Sequence, residues 1–247
     1  MITRTEESRV QVFRGNCETA EYRDPLIPSY RGNPLIEGLP LILTAADAVD
    51  RLARYPAISD EERMLPAHLR FHLMSTALQF FETLPIHIDL EQRISRMLRS
   101  GYLARNPLSR AHWQEMDQRV VATAAARPER SHHIRSSASG FSIIGISGGG
   151  KTTAVEEILR LYPQVLTHSV YQGQLLNRIQ IVWLKLACPF DGSIKGLCLN
   201  FFDAVDDVLG TTYSRDFSRR GLSTVDQLLP AMARIASIHS VDLLVID

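Results

Sequence analysis

The stretch Gly145-Ile146-Ser147-Gly148-Gly149-Gly150-Lys151-Thr152 constrains the fold more than any other part of the chain. It fits the pattern G-x-x-x-x-G-K-[ST] and lies between an apolar segment, Phe141 to Ile144, and a run of helical periodicity from Lys151 to about Leu161. A strand, a glycine loop and a helix in that order predict an α/β fold. The glycines let successive backbone N–H groups curl around an anion, and the start of the helix adds its positive dipole end. Lys151 is placed to reach the β and γ phosphates of ATP as a point charge, and the Thr152 hydroxyl to ligate Mg²⁺. The candidate nucleotide contacts are Gly145, Ser147, Gly148, Gly149, Gly150, Lys151, Thr152 and Thr153.

A second motif closes the sequence. Val241-Asp242-Leu243-Leu244-Val245-Ile246-Asp247 is an apolar strand ending in a carboxylate, the form of a Walker B strand. Asp247 then lies beside the phosphates at the carboxyl edge of the sheet and joins Thr152 in holding the metal. An ordinary core strand with a surface aspartate is the plainer reading of the same residues. Asp242 interrupts the apolar run early and is expected to face outward.

Between the two motifs the signals alternate as in an α/β domain. A nearly continuous apolar run from Arg178 to Ala187 predicts a strand covered on both faces. Helices are expected from about Ser193, a candidate N-cap, to Leu209, and from about Ser223 to Ala236. Three strands on this count form a sheet with an unpaired edge. The sequence therefore reads as part of a longer protein, with a natural pseudo-ATPase remnant as the alternative.

The first 140 residues are organised differently. Pro25, Pro28, Pro34 and Pro40 stiffen residues 1–43 into an extended arm, whose apolar Asn33-to-Pro40 stretch suits docking on its own domain or on a neighbour. Residues 44–130 read as a mainly helical region. Thr44 caps a helix with Ala45, Val49 and Leu52 on one face; further helices span Ala67 to Phe81 and Asp89 to Ser100, the last closed by Gly101. The small polar residues 131–140 form a linker, and 141–247 the N-terminal part of an ATPase domain. His132 and His133 are adjacent on a small polar stretch, where their side chains diverge, and no cysteine lies nearby, so a metal site there is disfavoured. Arg93, Arg96, Arg99, Arg105 and Arg110 lie in a stretch without acidic residues, the first three at helical steps. That spacing suits either a solvated face or a surface for phosphate or an acidic partner.

Composition sets the remaining bounds. The 27 basic and 27 acidic residues cancel, so a nucleic-acid site must be a local patch. Three cysteines, Cys17, Cys188 and Cys198, match neither a disulfide framework nor a metal site, and no run is apolar and long enough for a membrane span. A cytoplasmic protein without membrane attachment is the expectation.

With both nucleotide motifs and the proline arm in view, the chain resembles the TnsC family, AAA+ regulators of heteromeric cut-and-paste transposons. The resemblance also rests on Asn33-Pro34-Leu35-Ile36-Glu37, Arg93-Ile94, Gly101-Tyr102, Arg105-Asn106-Pro107 and Tyr162-Pro163-Gln164-Val165. Gly192-Ser193-Ile194-Lys195 and Leu199-Asn200-Phe201-Phe202 complete it. It implies a P-loop NTPase of AAA+ type, a parallel sheet flanked by helices and here truncated after the Walker B strand. It implies a protein that uses ATP and Mg²⁺, oligomerises as a ring or helical filament on double-stranded DNA, and links a target-selector protein to transposase subunits. The DNA-facing positions it points to are Ser193, Lys195, Thr211 and Thr212. The glutamate that follows the Walker B aspartate in the AAA+ branch is missing, as are the sensors and the arginine finger. ATPase activity is therefore expected of the full-length protein and not of this stretch alone. A helicase-loader-like AAA+ machine and a non-hydrolysing nucleotide-binding interaction module are the alternatives.

Overall fold

The computed structural model describes residues 13–57, 59–109, 139–219, 221 and 224–247. Arg110, His132, His133, Arg220, Ser223 and most of the 131–140 linker lie outside the described residues.

The arm docks on its own chain. Strand β1 (Cys17–Thr19) adds in parallel to β2 (Val165–Tyr171), with Cys17 opposite Val165. Asn33 opens the one-turn helix α1 (Pro34–Glu37) by accepting from the Leu35 N–H, while its amide donates to the Tyr102 carbonyl at 2.8 Å. Leu35, Ile36 and Leu39 are buried in the core. Gln180 donates to the Leu35 carbonyl and Arg99 to that of Pro40, so the arm's backbone acceptors are satisfied by the body beneath it.

Helix α2 (Ala45–Leu52) starts at Thr44 in a reciprocal capping box with Asp47. Its buried side chains are Ala48 and Leu52; Ala45, expected on the inner face, is exposed. Two short helices follow, α3 (Asp60–Arg63) and α4 (Ala67–Leu73), and neither buries a residue. The helix expected to run on to Phe81 tightens into a 3-10 turn at Met74–Gln79, and Phe81 instead exchanges two backbone hydrogen bonds with Arg54. Between those clamped ends Phe71, Met74 and Leu78 are exposed.

Helix α5 (Pro85–Leu103) runs through Gly101, which was expected to terminate it. A Cβ at that position would overlap the Asp242 carboxylate, which would have to shift to admit it. Asp242 itself faces inward, contrary to expectation, and pairs with Arg105 with only 4% of its side chain exposed. The arginine face on this helix is also broken. Arg93 and Arg96 are exposed, whereas Arg99 is buried against Ser95 and the arm.

The single long strand expected at 178–187 is two. β3 (Gln174–Ile181) pairs antiparallel with β2 through a Gln172–Gly173 turn, both residues having positive φ as a two-residue hairpin of type I′ requires. After Val182, β4 (Trp183–Leu186) leaves that sheet and pairs in parallel with β5 (Leu243–Ile246). The segment 141–144, expected as a third parallel strand, forms no ladder among the described residues, and Phe141, Ile143 and Ile144 are exposed. An apolar sequence becomes a strand only when a neighbour takes up its N–H and C=O groups.

Four helices complete the α/β part: α6 (Lys151–Leu159), α7 (Ile194–Leu209), α8 (Tyr213–Arg219) and α9 (Val225–Ile238). Side chains on β4 and β5 alternate between two cores. Leu184, Leu186 and Leu244 pack with Phe201, Phe202 and Val205 of α7 and Leu228 and Ile235 of α9. Trp183, Leu243 and Val245 face Ile158 and Leu159 of α6, together with Ile94 and Tyr102 of α5 and the arm residues Leu35 and Ile36.

Candidate functional site

The glycine loop lies at the start of α6, and residues 139–150 are exposed throughout. Gly148 and Gly150 take φ values of 76° and 75°, a conformation in which a Cβ is strained. Lys151 bends back over the loop, its Nζ donating to the carbonyls of Gly145 at 3.0 Å and Ile146 at 2.7 Å. Ser147 is in the exposed turn and Thr153 is exposed on the first turn of α6.

Helix α6 is fixed from below. Ala154, Val155, Ile158 and Leu159 are buried, and Glu157, 7% exposed, receives Arg160 at 3.0 Å and also contacts Arg54 at the end of α2. This seating turns Thr152 and Glu156, four residues apart and so on one face, toward the ends of β4 and β5.

The two motifs meet there. Thr152 Oγ1 donates to Asp247 Oδ1 at 3.2 Å. A third group, which the sequence did not single out for the site, joins them: Lys185 Nζ lies 2.7 Å from Glu156 Oε1 and 3.0 Å from Asp247 Oδ2. The strand register explains the meeting. Lys185 is opposite Val245, so Lys185, Val245 and Asp247 project to the same side of the sheet, toward α6. The hydrogen bond from Lys185, then that from Thr152, holds the Asp247 carboxyl below its ordinary range. The Lys185 ammonium is held above its own range, first by Glu156 and then by Asp247. The available sequence signal was a lone charge inside the apolar run 181–187.

The Thr152 hydroxyl on the first turn of α6 and the Asp247 carboxylate at an exposed strand end are hard oxygen donors. They fit Mg²⁺, which takes one or two protein oxygens and keeps several waters. Among the described residues no group of three or more His, Cys, Asp and Glu side chains offers another metal centre, and no helix is long and apolar enough to cross a membrane.

The residues expected to face DNA are not gathered in one place. Ser193 caps α7, accepting from the Gly196 N–H at 3.0 Å, and Lys195 is exposed on the first turn of that helix. Thr211 and Thr212 lie beyond its other end, roughly 24 Å away for a helix of this length. Their hydroxyls donate to Asp206 at 2.6 Å and Asp216 at 3.3 Å. Asp206 also accepts from the N–H groups of Tyr213 and Ser214, which makes this turn an acidic cap for α8.

No curated protein matches the chain. Residues 134–247 match the family model described as an AAA domain, which supports an α/β nucleotide-binding ATPase domain of AAA type for that part of the chain.

Proposed function

We propose that this protein binds ATP with Mg²⁺ at the Gly145–Thr152 loop and works as an ATP-dependent, DNA-binding regulator of transposition. The observation that carries the nucleotide reading is the contact between Thr152 and Asp247, two residues 95 positions apart that come from separate motifs. Phosphate is received by the exposed glycine loop and the N-terminus of α6, and Lys151 moves from its loop carbonyls to the bound anion. Bound Mg²⁺ supplies charge neutralisation at the β and γ phosphates; Thr152 and Asp247 are the side chains that hold it.

The transposition reading rests on the TnsC resemblance. On that reading the protein assembles as a ring or filament on duplex DNA when ATP is bound and connects a target selector to transposase subunits. The turn at Ser193 and Lys195 is the DNA-facing element we assign. It ends in an exposed ammonium, whereas the Thr211–Thr212 turn is lined by Asp206 and Asp216.

Titration with a fluorescent ATP analogue tests the first part. Lys151→Ala removes the charge that meets the phosphates and is expected to weaken binding by about tenfold or more; equal affinity refutes the site. DNA anisotropy over a salt series, with and without ATP, tests the second. Lys195→Ala is expected to weaken binding about uniformly across sequences and to reduce the salt slope by roughly one unit. Unchanged binding by that variant, or nucleotide-independent binding by the wild type, refutes the DNA assignment.

A further inference from the structure

The cluster at the ends of β4 and β5 contains more than a nucleotide-metal site needs. Two polar rungs join α6 to the sheet, Thr152 to Asp247 at 3.2 Å and Glu156 to Lys185 at 2.7 Å. A third contact, Lys185 to Asp247 at 3.0 Å, ties the rungs together. One ammonium thus divides itself between two carboxylates, and one of those is the carboxylate assigned to the metal. The side chains of Lys185, Glu156 and Asp247 are 32%, 46% and 43% exposed, so all three can rearrange without unfolding the core. Lys185 is held in place by its strand: Leu184 and Leu186 on either side are buried on the opposite face, leaving it no other direction to point.

Resting on the nucleotide reading above, we propose that Lys185 is a built-in competitor of Mg²⁺ for Asp247. Its ammonium neutralises that carboxylate before the metal arrives and is drawn to Glu156 once the metal holds Asp247. The Lys185–Glu156 pair therefore sets the Mg²⁺ concentration at which nucleotide is retained. The charges require a definite sign for each change. Removing Lys185 leaves Asp247 a free anion and makes Mg²⁺ easier to bind. Removing the charge of Glu156 leaves Lys185 to Asp247 alone and makes Mg²⁺ harder to bind. A role in packing only predicts no such opposition.

The test is anisotropy of a fluorescent ATP analogue on the whole chain while free Mg²⁺ is raised from a chelator-buffered zero. Lys185→Met is expected to lower the half-saturating Mg²⁺ by roughly three- to tenfold, and Glu156→Gln to raise it by a similar factor. In the double variant the Glu156→Gln effect should vanish, because the ammonium it redirected is gone. Lys185→Arg keeps the charge and should retain the wild-type Mg²⁺ dependence. Should Lys185→Met fail to fold by circular dichroism, Lys185→Gln takes its place. Shifts in the same direction for the two single variants, or no shift, overturn the proposal and leave the nucleotide site standing. A wild-type protein that binds no nucleotide at any Mg²⁺ concentration overturns the nucleotide reading and this proposal together.

Discussion

Asp242 and Asp247 flank the same short strand and meet opposite environments. The first is covered by α5 and neutralised by Arg105; the second stands at the exposed edge among Thr152 and Lys185. Sequence could name Asp247, because a carboxylate closing an apolar run after a P-loop has a known use. It could not place Asp242, since the partner that makes burial tolerable, Arg105, lies just beyond the end of α5 and no local pattern announces it. Gly101 was misread for the same reason. A glycine near the end of a helical pattern resembles a terminus, but here it makes room for Asp242. Gly101→Ala is therefore expected to destabilise the protein by about 1–3 kcal/mol despite its better helix propensity, as measured by urea unfolding. His239 gives a pH signature at the same scale. Burial lowers its pKa to about 4, and its Nε2 pairs with the Tyr213 hydroxyl at 2.8 Å. The folded chain refuses a proton that the unfolded chain accepts below its ordinary pKa of about 6.5. The stability contributed is thus complete above that pH and is lost as pH falls toward 4. Between pH 7 and pH 5 the wild type should lose up to about 2 kcal/mol more than His239→Gln, read from denaturant midpoints at each pH.

At the scale of elements, periodicity served best where helices are amphipathic. The start of α7 at Ser193 and its buried Cys198, Phe201, Phe202, Val205 and Leu209 follow from spacing alone. Strands were harder. The apolar run at 178–187 hides a change of sheet at Val182, because a residue between two sheets is as apolar as one within either. The hairpin partner β2 was not recognised as a strand, since Thr167, His168 and Ser169 dilute its apolar signal. His168 earns its buried place through Gln180 at 2.7 Å and Tyr22 at 2.9 Å, contacts that join β2, β3 and the arm. The docking of α1 is testable by one truncation. Leu35 is fully buried in the core that also holds residues of α5 and α6, so Leu35→Ala should cost about 2–5 kcal/mol. A loss below about 0.5 kcal/mol in thermal or urea unfolding would show that the arm does not seal this core.

For the molecule as a whole, the arm and α5 contribute Leu35, Ile36, Ile94, Leu98 and Tyr102 to the core that receives α6 and β5. The AAA-type match begins only at residue 134. The stretch that recurs across a family and the stretch that can exclude water from its own interior thus have different boundaries in this chain. A recombinant protein starting at residue 134 would keep every P-loop residue and Asp247 yet present Ile158, Leu159, Val182 and Leu243 to solvent. It is expected to aggregate or to bind 8-anilinonaphthalene-1-sulfonate strongly, whereas one retaining residues 13–247 should elute from size exclusion as a folded species without the dye. Whatever tugs on the arm, whether a partner or a protease, would reach the glycine loop through the floor on which α6 rests.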